Sequence, residues 1–461
     1  MTMPESESLH RTLKIEMDDG RATTYEEADS LTRTYRLQVA VGADVDSSPT
    51  RQAMLLTAVN AGVRAFRGGV VVCTGQDPVL TTPWAEGKRL SAAVKALGAS
   101  VATHPSEGSP TIVIGRETSR VGTVVLHPTW AGWSGGVVEE TERRLRESPE
   151  FPLAGILAGA LAVSEAFQFV RGNQEAGRRD VGLSLWRPDL DWRNEEAYGG
   201  PCEYLPAQWW LLGLGHLGQA YAWAIASLPF ADRSRVHFVL QDIDYVVEAN
   251  ASTGLLVPAA HPRERKTRMV ARRLEALGVR TAIVERRFDS DTRRRPEEPG
   301  LALAGFDDPA PRRALELAGF DRIVDVGLGS GPRQFLDILV HSFPASHRAE
   351  TAWPEHRSQA NVGFVDRPAY QHLIETQAEL EGVSREAASC GVTELAGRTA
   401  GAAFVGAAAA TLAIAEPLRI LNGGASFELI SAPLQGLDHR QAVLNPTPVH
   451  PLAAFLRSVV E

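Results

Sequence analysis

The chain has 461 residues, which at roughly 100–200 residues per domain allows about two to four domains with sizeable cores. Apolar residues make up 44% and charged residues 22%, and the formal net charge of −9 argues against a general nucleic-acid binder or a binder of anionic membranes. Three cysteines, Cys73, Cys202 and Cys390, are too few and too widely spaced for a disulfide framework or a CxxC zinc pair, which fits a reducing, intracellular setting.

Residues 1–32 are polar and acidic and predict a loosely held arm, and the start MTMPESESLHRTLK lacks the apolar core of a secretory signal. Short apolar runs at 36–42, 68–74, 111–115 and 122–126 predict strands, with helical spacing at 51–66 and 153–171. The Pro/Gly-rich stretch 187–206 reads as a linker. Beyond it the pattern alternates cleanly. Strands are predicted at 209–212, 236–241, 281–287, 301–305 and 322–326, and helices at 217–228, 263–277 and 310–318. Strands separated by helices of this length imply an α/β fold with a doubly wound, Rossmann-like parallel sheet. No run reaches about 18 uninterrupted apolar residues, and the Ala-rich stretch 400–415 reads as a buried helix. Residues 155–172 echo 401–424, since both are small-residue helices with a late glutamate and a glycine stop. The echo points to an internal duplication without establishing one.

The sharpest chemical signal is WWLLGLGHLGQAYAW. Gly213, Gly215 and Gly218 form GxGxxG between a strand and a helix, with His216 inside the loop. Such glycines allow a tight turn and close backbone approach, and the helix N-terminus offers N–H groups to phosphates. Asp242 and Asp244 end the next strand, where an acid can accept ribose hydroxyls. Neither feature separates NAD from ATP. Lysine sharpens the reading, because only Lys14, Lys88, Lys95 and Lys266 occur, leaving arginine for the other 43 of 47 basic residues. Lys266 opens a basic helix and is the sole lysine after residue 95, which suits a compact ammonium on phosphate. Asp307 and Asp308 follow the strand at 301–305, where a hard carboxylate suits Mg2+ and Asp308-Pro309 also suits a helix N-cap.

These pieces, in this order, resemble the ThiF/MoeB/ubiquitin-activating superfamily of adenylating enzymes over about residues 205–425. The matching motifs are GLGHLG at 213–218, Asp242-Ile-Asp244, Asn250, Lys266, Gly305-Phe306-Asp307 with Arg312 and Arg313, and Cys390 before a Gly-Val. The resemblance implies ATP and Mg2+ as cofactors, with Asp244 on the ribose, Lys266 and Asn250 on phosphates, and Asp307 on Mg2+. It implies adenylation of the C-terminal carboxylate of a ubiquitin-like protein, thioester formation on Cys390, and hand-over to a conjugating-type cysteine enzyme. In a bacterial setting it implies a ubiquitin-like conjugation operon, antiviral defence among its roles. The expected organisation is an arm at 1–45, a degenerate adenylation-like half with linker at 46–200, an active ThiF-like domain at 201–430 and a tail at 431–461. Such a chain would be a built-in pseudo-dimer or a homodimer, cytoplasmic, with no nucleic-acid or membrane partner. An adenylating enzyme without the thioester step, a nicotinamide oxidoreductase and a non-catalytic scaffold are the competing readings.

The sequence also departs from that pattern. The family's Asn-Arg-Gln run is replaced by Ala251-Ser252-Thr253-Gly254, so a phosphate-contacting arginine is missing, with Arg263, Arg265 or Arg36 as candidate substitutes. The family's CxxC pairs are absent, so no structural zinc is expected. His341, His347 and His356 lack a carboxylate or cysteine at ligand spacing, the arginines at 286–287 and 293–295 read as a solvated loop, and Trp130 and Trp133 read as packing residues.

Overall fold

The computed structural model describes residues 8–116, 121–258, 263–329, 334–353, 365–382, 384–397 and 400–446. Two helices come first, α1 (Arg11–Asp18) and α2 (Tyr25–Thr32). The first sheet is then built from β1 (Leu37–Val41), α3 (Pro49–Ala65), β2 (Val70–Thr74), α4 (Leu90–Ala96), β3 (Ser100–Ala102), β4 (Thr111–Ile114), β5 (Val125–Ala131), β6 (Ser134–Val138), α5 (Pro152–Val170) and β7 (Val181–Ser184). Its strand order is β3-β2-β1-β4-β5-β6-β7. The runs LQVAV and TIVI are buried along their whole length, as strands covered on both faces must be.

The second sheet repeats that plan. Its elements are β8 (Gln208–Leu212), α6 (His216–Ala226), β9 (His237–Gln241), α7 (Lys266–Glu275), β10 (Arg280–Val284), β11 (Leu301–Ala304), α8 (Pro309–Arg313), β12 (Arg322–Leu328), β13 (Asp337–Phe343), α9 (Ala349–Ala352), α10 (Pro368–Glu381), α11 (Arg385–Gly397), α12 (Ala403–Leu421), β14 (Phe427–Pro433) and β15 (Gln441–Leu444). The order is β10-β9-β8-β11-β12-β13-β14-β15, the first sheet's order with one strand added. In each sheet five neighbouring strands are parallel, as the alternation predicts. Antiparallel strands that the alternation does not show extend both sheets.

The echo between 155–172 and 401–424 marks equivalent elements. Helices α5 and α12 each span 19 residues and lie between equivalent strands, β6 and β7 in one sheet and β13 and β14 in the other. Each carries a buried glutamate at its fourteenth position, Glu165 and Glu416. Both helices are apolar enough to cross a membrane by length and composition, yet both are core helices almost wholly covered by protein. The small residues of α5 let α3 come close, because a Cβ on Gly155 would lie 2.3 Å from the Thr50 carbonyl oxygen. Helices α3, α5, α6 and α12 share one continuous apolar core. Trp84 and Trp223 stack across the two halves with centroids 4.8 Å apart, and the Trp223 indole donates to Thr57 at 3.0 Å.

The N-terminal stretch is not loosely held where it is described. Helix α1 is almost entirely buried and packs with α2, α10 and α11 around a separate apolar cluster that includes Leu13, Met17, Tyr370 and Leu395. Its polar residues are buried in pairs, which hides the helix from a reading of apolar periodicity. Lys14 Nζ reaches Asp18 at 2.8 Å, the Tyr370 hydroxyl at 3.0 Å and the Ala396 carbonyl at 3.0 Å. Trp130 and Trp133 are buried, each indole donating to a backbone carbonyl, as packing residues would.

Candidate functional site

The site forms where β8, β9 and β11 end. After β8 the chain turns through Gly213, whose φ of +81° is left-handed and whose Cβ would lie 3.0 Å from the Gly305 carbonyl oxygen. Gly218 is tighter, since a Cβ there would lie 1.9 Å from the Gly213 oxygen. Gly215 differs: it is the N-cap of α6, has no side-chain cap, and among the described residues a Cβ on it would meet nothing within 4 Å. Two glycines therefore hold the turn and the third faces open space at a helix N-terminus, the arrangement that presents backbone amides to an anion.

The two acids after β9 divide their work. Asp242 accepts the Leu214 amide at 2.6 Å and the Asp244 amide at 2.7 Å, so it fixes the turn. Asp244 is exposed and receives Lys266 Nζ at 2.8 Å, with the lysine itself largely buried at the start of α7. Asn250 organises the following turn: its side-chain oxygen accepts the Val247 amide at 3.0 Å and its carbonyl accepts the Gly254 amide at 2.8 Å.

Asp307 follows β11 in the turn Gly305-Phe306-Asp307, which lies against the glycine loop. Its charge acts on the imidazole of His216, which burial nevertheless pushes down to about 4. That ring fills space beside α12, where a Cβ on Gly406 would lie 2.3 Å from His216 Nε2. The His216 ring therefore lies between the loop and α12. Asp308 accepts the Ala310 amide at 3.0 Å and caps α8. Arg312 donates to the Phe306 carbonyl at 2.7 Å and to the Val326 carbonyl at 3.0 Å, with its cation over Trp353 at 4.4 Å, so it braces the turn that carries Asp307.

Of the candidate substitute arginines, Arg265 and Arg263 lie over the Tyr245 ring, and Arg36 is exposed at the start of β1. The segment that replaces Asn-Arg-Gln is instead met by residues the sequence reading did not single out. The Arg11 amide donates to Ser252 Oγ at 3.2 Å, and Arg64 from α3 donates to the Ala251 carbonyl at 2.7 Å. Cys390 lies on α11, and its side chain is outside the described residues. The insertion α9–α11 has no counterpart between β6 and α5 in the first half. His341 and His347 have ring centroids 5.8 Å apart, His356 lies outside the described residues, and no group of three metal-type ligands occurs among the described residues. In the loop at 286–295, Arg294 is tied to the Gly319 carbonyl at 2.9 Å and to Asp321 at 3.2 Å rather than left in solvent.

The equivalent place in the first half is filled. After β1 the loop carries Asp44, which accepts the Arg116 amide at 2.8 Å. Arg51 lies 3.3 Å from Asp44 and 2.6 Å from Glu147, and Arg144 lies 2.6 Å from Glu147. A carboxylate there opposes a phosphate where the second half leaves room for one.

The fold and site therefore define a duplicated, Rossmann-like α/β protein in which one half carries an open glycine loop. Residues 36–185 match the model of the BilD N-terminal domain and residues 205–424 that of the BilD C-terminal domain. The chain is 38% identical over 437 residues to the bacterial E1-like protein BilD of Collimonas sp. (strain OK412), covering 94% of this chain and 93% of that protein. It belongs to the BilD family. Among solved structures it matches E. coli MccB at 12% identity with a TM-score of 0.35, over 70% of this chain and 93% of that one. A likeness so distant carries no argument about chemistry.

Proposed function

We propose that the chain activates a carboxylate by adenylation at the glycine loop of its second half, with Mg-ATP as co-substrate. The observation that carries the reading is one rim holding the uncapped N-terminus of α6, Asp244 paired with the buried Lys266, and the turn of Asp307. Family membership supports it, since the curated relative is described as E1-like.

The residues suit the nucleotide. Asp244 offers a carboxylate to ribose hydroxyls, while Lys266 and the amides of α6 offset phosphate charge. Asp307 offers one hard oxygen, which suits an ion that takes most of its ligands from phosphates and water. Bound Mg2+ would stabilise charge on the phosphates. A carboxylate oxygen of the substrate attacks the α-phosphorus, giving an acyl-adenylate and releasing pyrophosphate. The substrate we favour is the C-terminus of a ubiquitin-like protein. Cys390, as thiolate, then takes the acyl group while AMP leaves, and a conjugating-type cysteine enzyme receives it. The segment α9–α11, which carries Cys390 and is inserted between β13 and α12 without a counterpart in the first half, supports this step. The filled site around Asp44 supports a pseudo-dimer within one chain, with one half working.

The test is carboxylate-dependent exchange of pyrophosphate into ATP, using ubiquitin-like proteins with free C-termini. Asp307→Asn should lower the exchange rate at least about tenfold. Cys390→Ala should leave exchange intact and remove a reducible covalent adduct. No adduct with the unaltered chain leaves adenylation alone standing. Preference for NAD over Mg-ATP sinks the whole reading.

A further inference from the structure

We propose that Arg64, on α3 of the first half, is a positioning residue for the glycine loop of the second half, acting through the segment 251–257 and Gln219. The proposal rests on the adenylation reading for its consequence but on separate contacts for its argument.

The chain of contacts is continuous and buried. Arg64 donates to the carbonyls of Ala251 at 2.7 Å, Val257 at 3.0 Å and Leu255 at 3.2 Å. Asn60, one turn earlier, donates to the Leu255 carbonyl at 3.0 Å and accepts Arg64 Nε at 3.1 Å. The segment so held presents the Leu256 amide to Gln219 Oε1 at 3.1 Å. It also carries Gly254, where a Cβ would come within 2.5 Å of the same Gln219 side chain. Gln219 Nε2 in turn donates to the Leu214 carbonyl at 3.1 Å. Arg64, Asn60 and Gln219 are 9%, 0% and 1% exposed.

The last contact gives the chain its meaning. Leu214 lies between Gly213 and Gly215, and its carbonyl shares a rigid peptide plane with the Gly215 amide. Fixing that oxygen fixes the direction of the amide on its other side. The preceding peptide is fixed by the bond from the Leu214 amide to Asp242. Both peptide planes at the mouth of α6 are therefore pinned, one by an acid of the second half and one by a relay that begins in the first. Preorganised amides are worth more to a developing charge than amides that must reorient.

A buried guanidinium is a costly way merely to fill space. Among the described residues no carboxylate lies within ion-pairing distance of Arg64; it donates to three carbonyls of one segment and to Asn60. Burial draws its pKa down to about 10, so it remains a cation at neutral pH. A planar fork that gathers several carbonyls is what lysine cannot supply. This gives the first half, whose own site is filled, a part in the work of the second.

The experiment measures Mg-ATP affinity by calorimetry for the full chain, Arg64→Lys, Gln219→Met and the double variant, with thermal unfolding as the control for folding. Each single variant should weaken binding about tenfold, the worth of one well-placed hydrogen bond, and should raise KM for ATP in exchange more than it lowers kcat. The double variant should be no worse than the weaker-binding single variant, because both changes cut one relay. Unchanged affinity in either folded single variant, or effects that multiply in the double, overturns the relay. If Gln219→Met does not fold, Arg64→Lys, which keeps the buried cation, decides alone. Failure of the unaltered chain to bind Mg-ATP overturns instead the adenylation reading on which the relay rests.

Discussion

Asp242 accepts the Leu214 amide at 2.6 Å while its neighbour Asp244 faces outward to Lys266 at 2.8 Å, so one acid of the Asp-Ile-Asp run is spent on the loop and the other is left at the rim. The division has a measurable consequence. Asp244→Asn should weaken Mg-ATP binding about tenfold with little change in thermal stability, because an exposed carboxylate contributes little to the fold. Asp242→Ala should weaken binding and also lower the unfolding temperature, because it strips a partner from the Leu214 amide. Equal thermal effects of the two changes would show that the roles are not divided.

The lysine at the rim gives a second prediction. Lys266 pairs with Asp244 at 2.8 Å, and its stem is packed at the start of α7. Lys266→Ala should cut carboxylate-dependent exchange at least about tenfold. Lys266→Arg should recover only part of it, because a guanidinium is broader than an ammonium and sits poorly in a packed position. Full activity in the arginine variant would show that charge alone suffices there.

Much of the second half was legible because its chemistry and its folding coincide. The same glycines that allow phosphate approach also mark the strand–helix turn, and Val/Leu-rich strands announce themselves. The duplication was half legible: the echo between α5 and α12 shows in the sequence, but equal strand order can be seen only once the sheets are assembled. Helix α1 was hidden because Lys14, Glu16 and Asp18 are buried in polar pairs, so its inner face reads as polar. The antiparallel strands were hidden for a different reason. The run SGGVV that forms β6 is glycine-rich, and its partner is set by tertiary contact rather than by its own pattern. Arg64 and Gln219 lie inside ordinary helices, and only the path of 251–257 shows what they hold.

The equivalent glutamates of α5 and α12 should differ in what their loss costs. Glu416 is fully buried, 2.5 Å from Arg322 and paired also with Arg419, which reaches across to the Leu185 carbonyl of the first half at 2.6 Å. Glu165 pairs at 3.0 Å with Arg179, which is 23% exposed. Removing one partner from a buried cluster costs about 3–5 kcal/mol. Glu416→Gln should therefore shift the urea midpoint strongly, and Glu165→Gln far less. Similar shifts would mean that water reaches the Glu416 cluster.

The filled site of the first half predicts stoichiometry. With Asp44 in the loop after β1 and Arg51 of α3 paired to it, calorimetry should find one Mg-ATP per chain. Asp44→Ala should leave exchange unchanged, because it alters only the loop of the first half. A second binding event in the unaltered chain would show that the carboxylate does not exclude phosphate.

Acid should loosen the junction where α1 begins. His10 caps α1 by accepting the Thr12 amide on Nδ1 at 3.3 Å, which requires a neutral ring. Burial, then the charges of Arg67, Arg11 and Arg64, hold its pKa down at about 3 against the small opposing pull of Asp29. The folded-state value is depressed below the unfolded one near 6.5. The contribution to stability is therefore complete above pH 6.5 and is lost as pH falls toward 3, on the order of 3 kcal/mol by pH 4. His10→Asn keeps a capping oxygen and removes the titration. At pH 8 the variant should match the unaltered chain in urea midpoint, and at pH 4.5 it should exceed it. The gain should persist in high salt, because burial rather than exposed charge is the leading cause. An equal loss of midpoint on acidification in both proteins would place the acid-sensitive group elsewhere, at His216 or His341, whose pKa values burial also holds near 4.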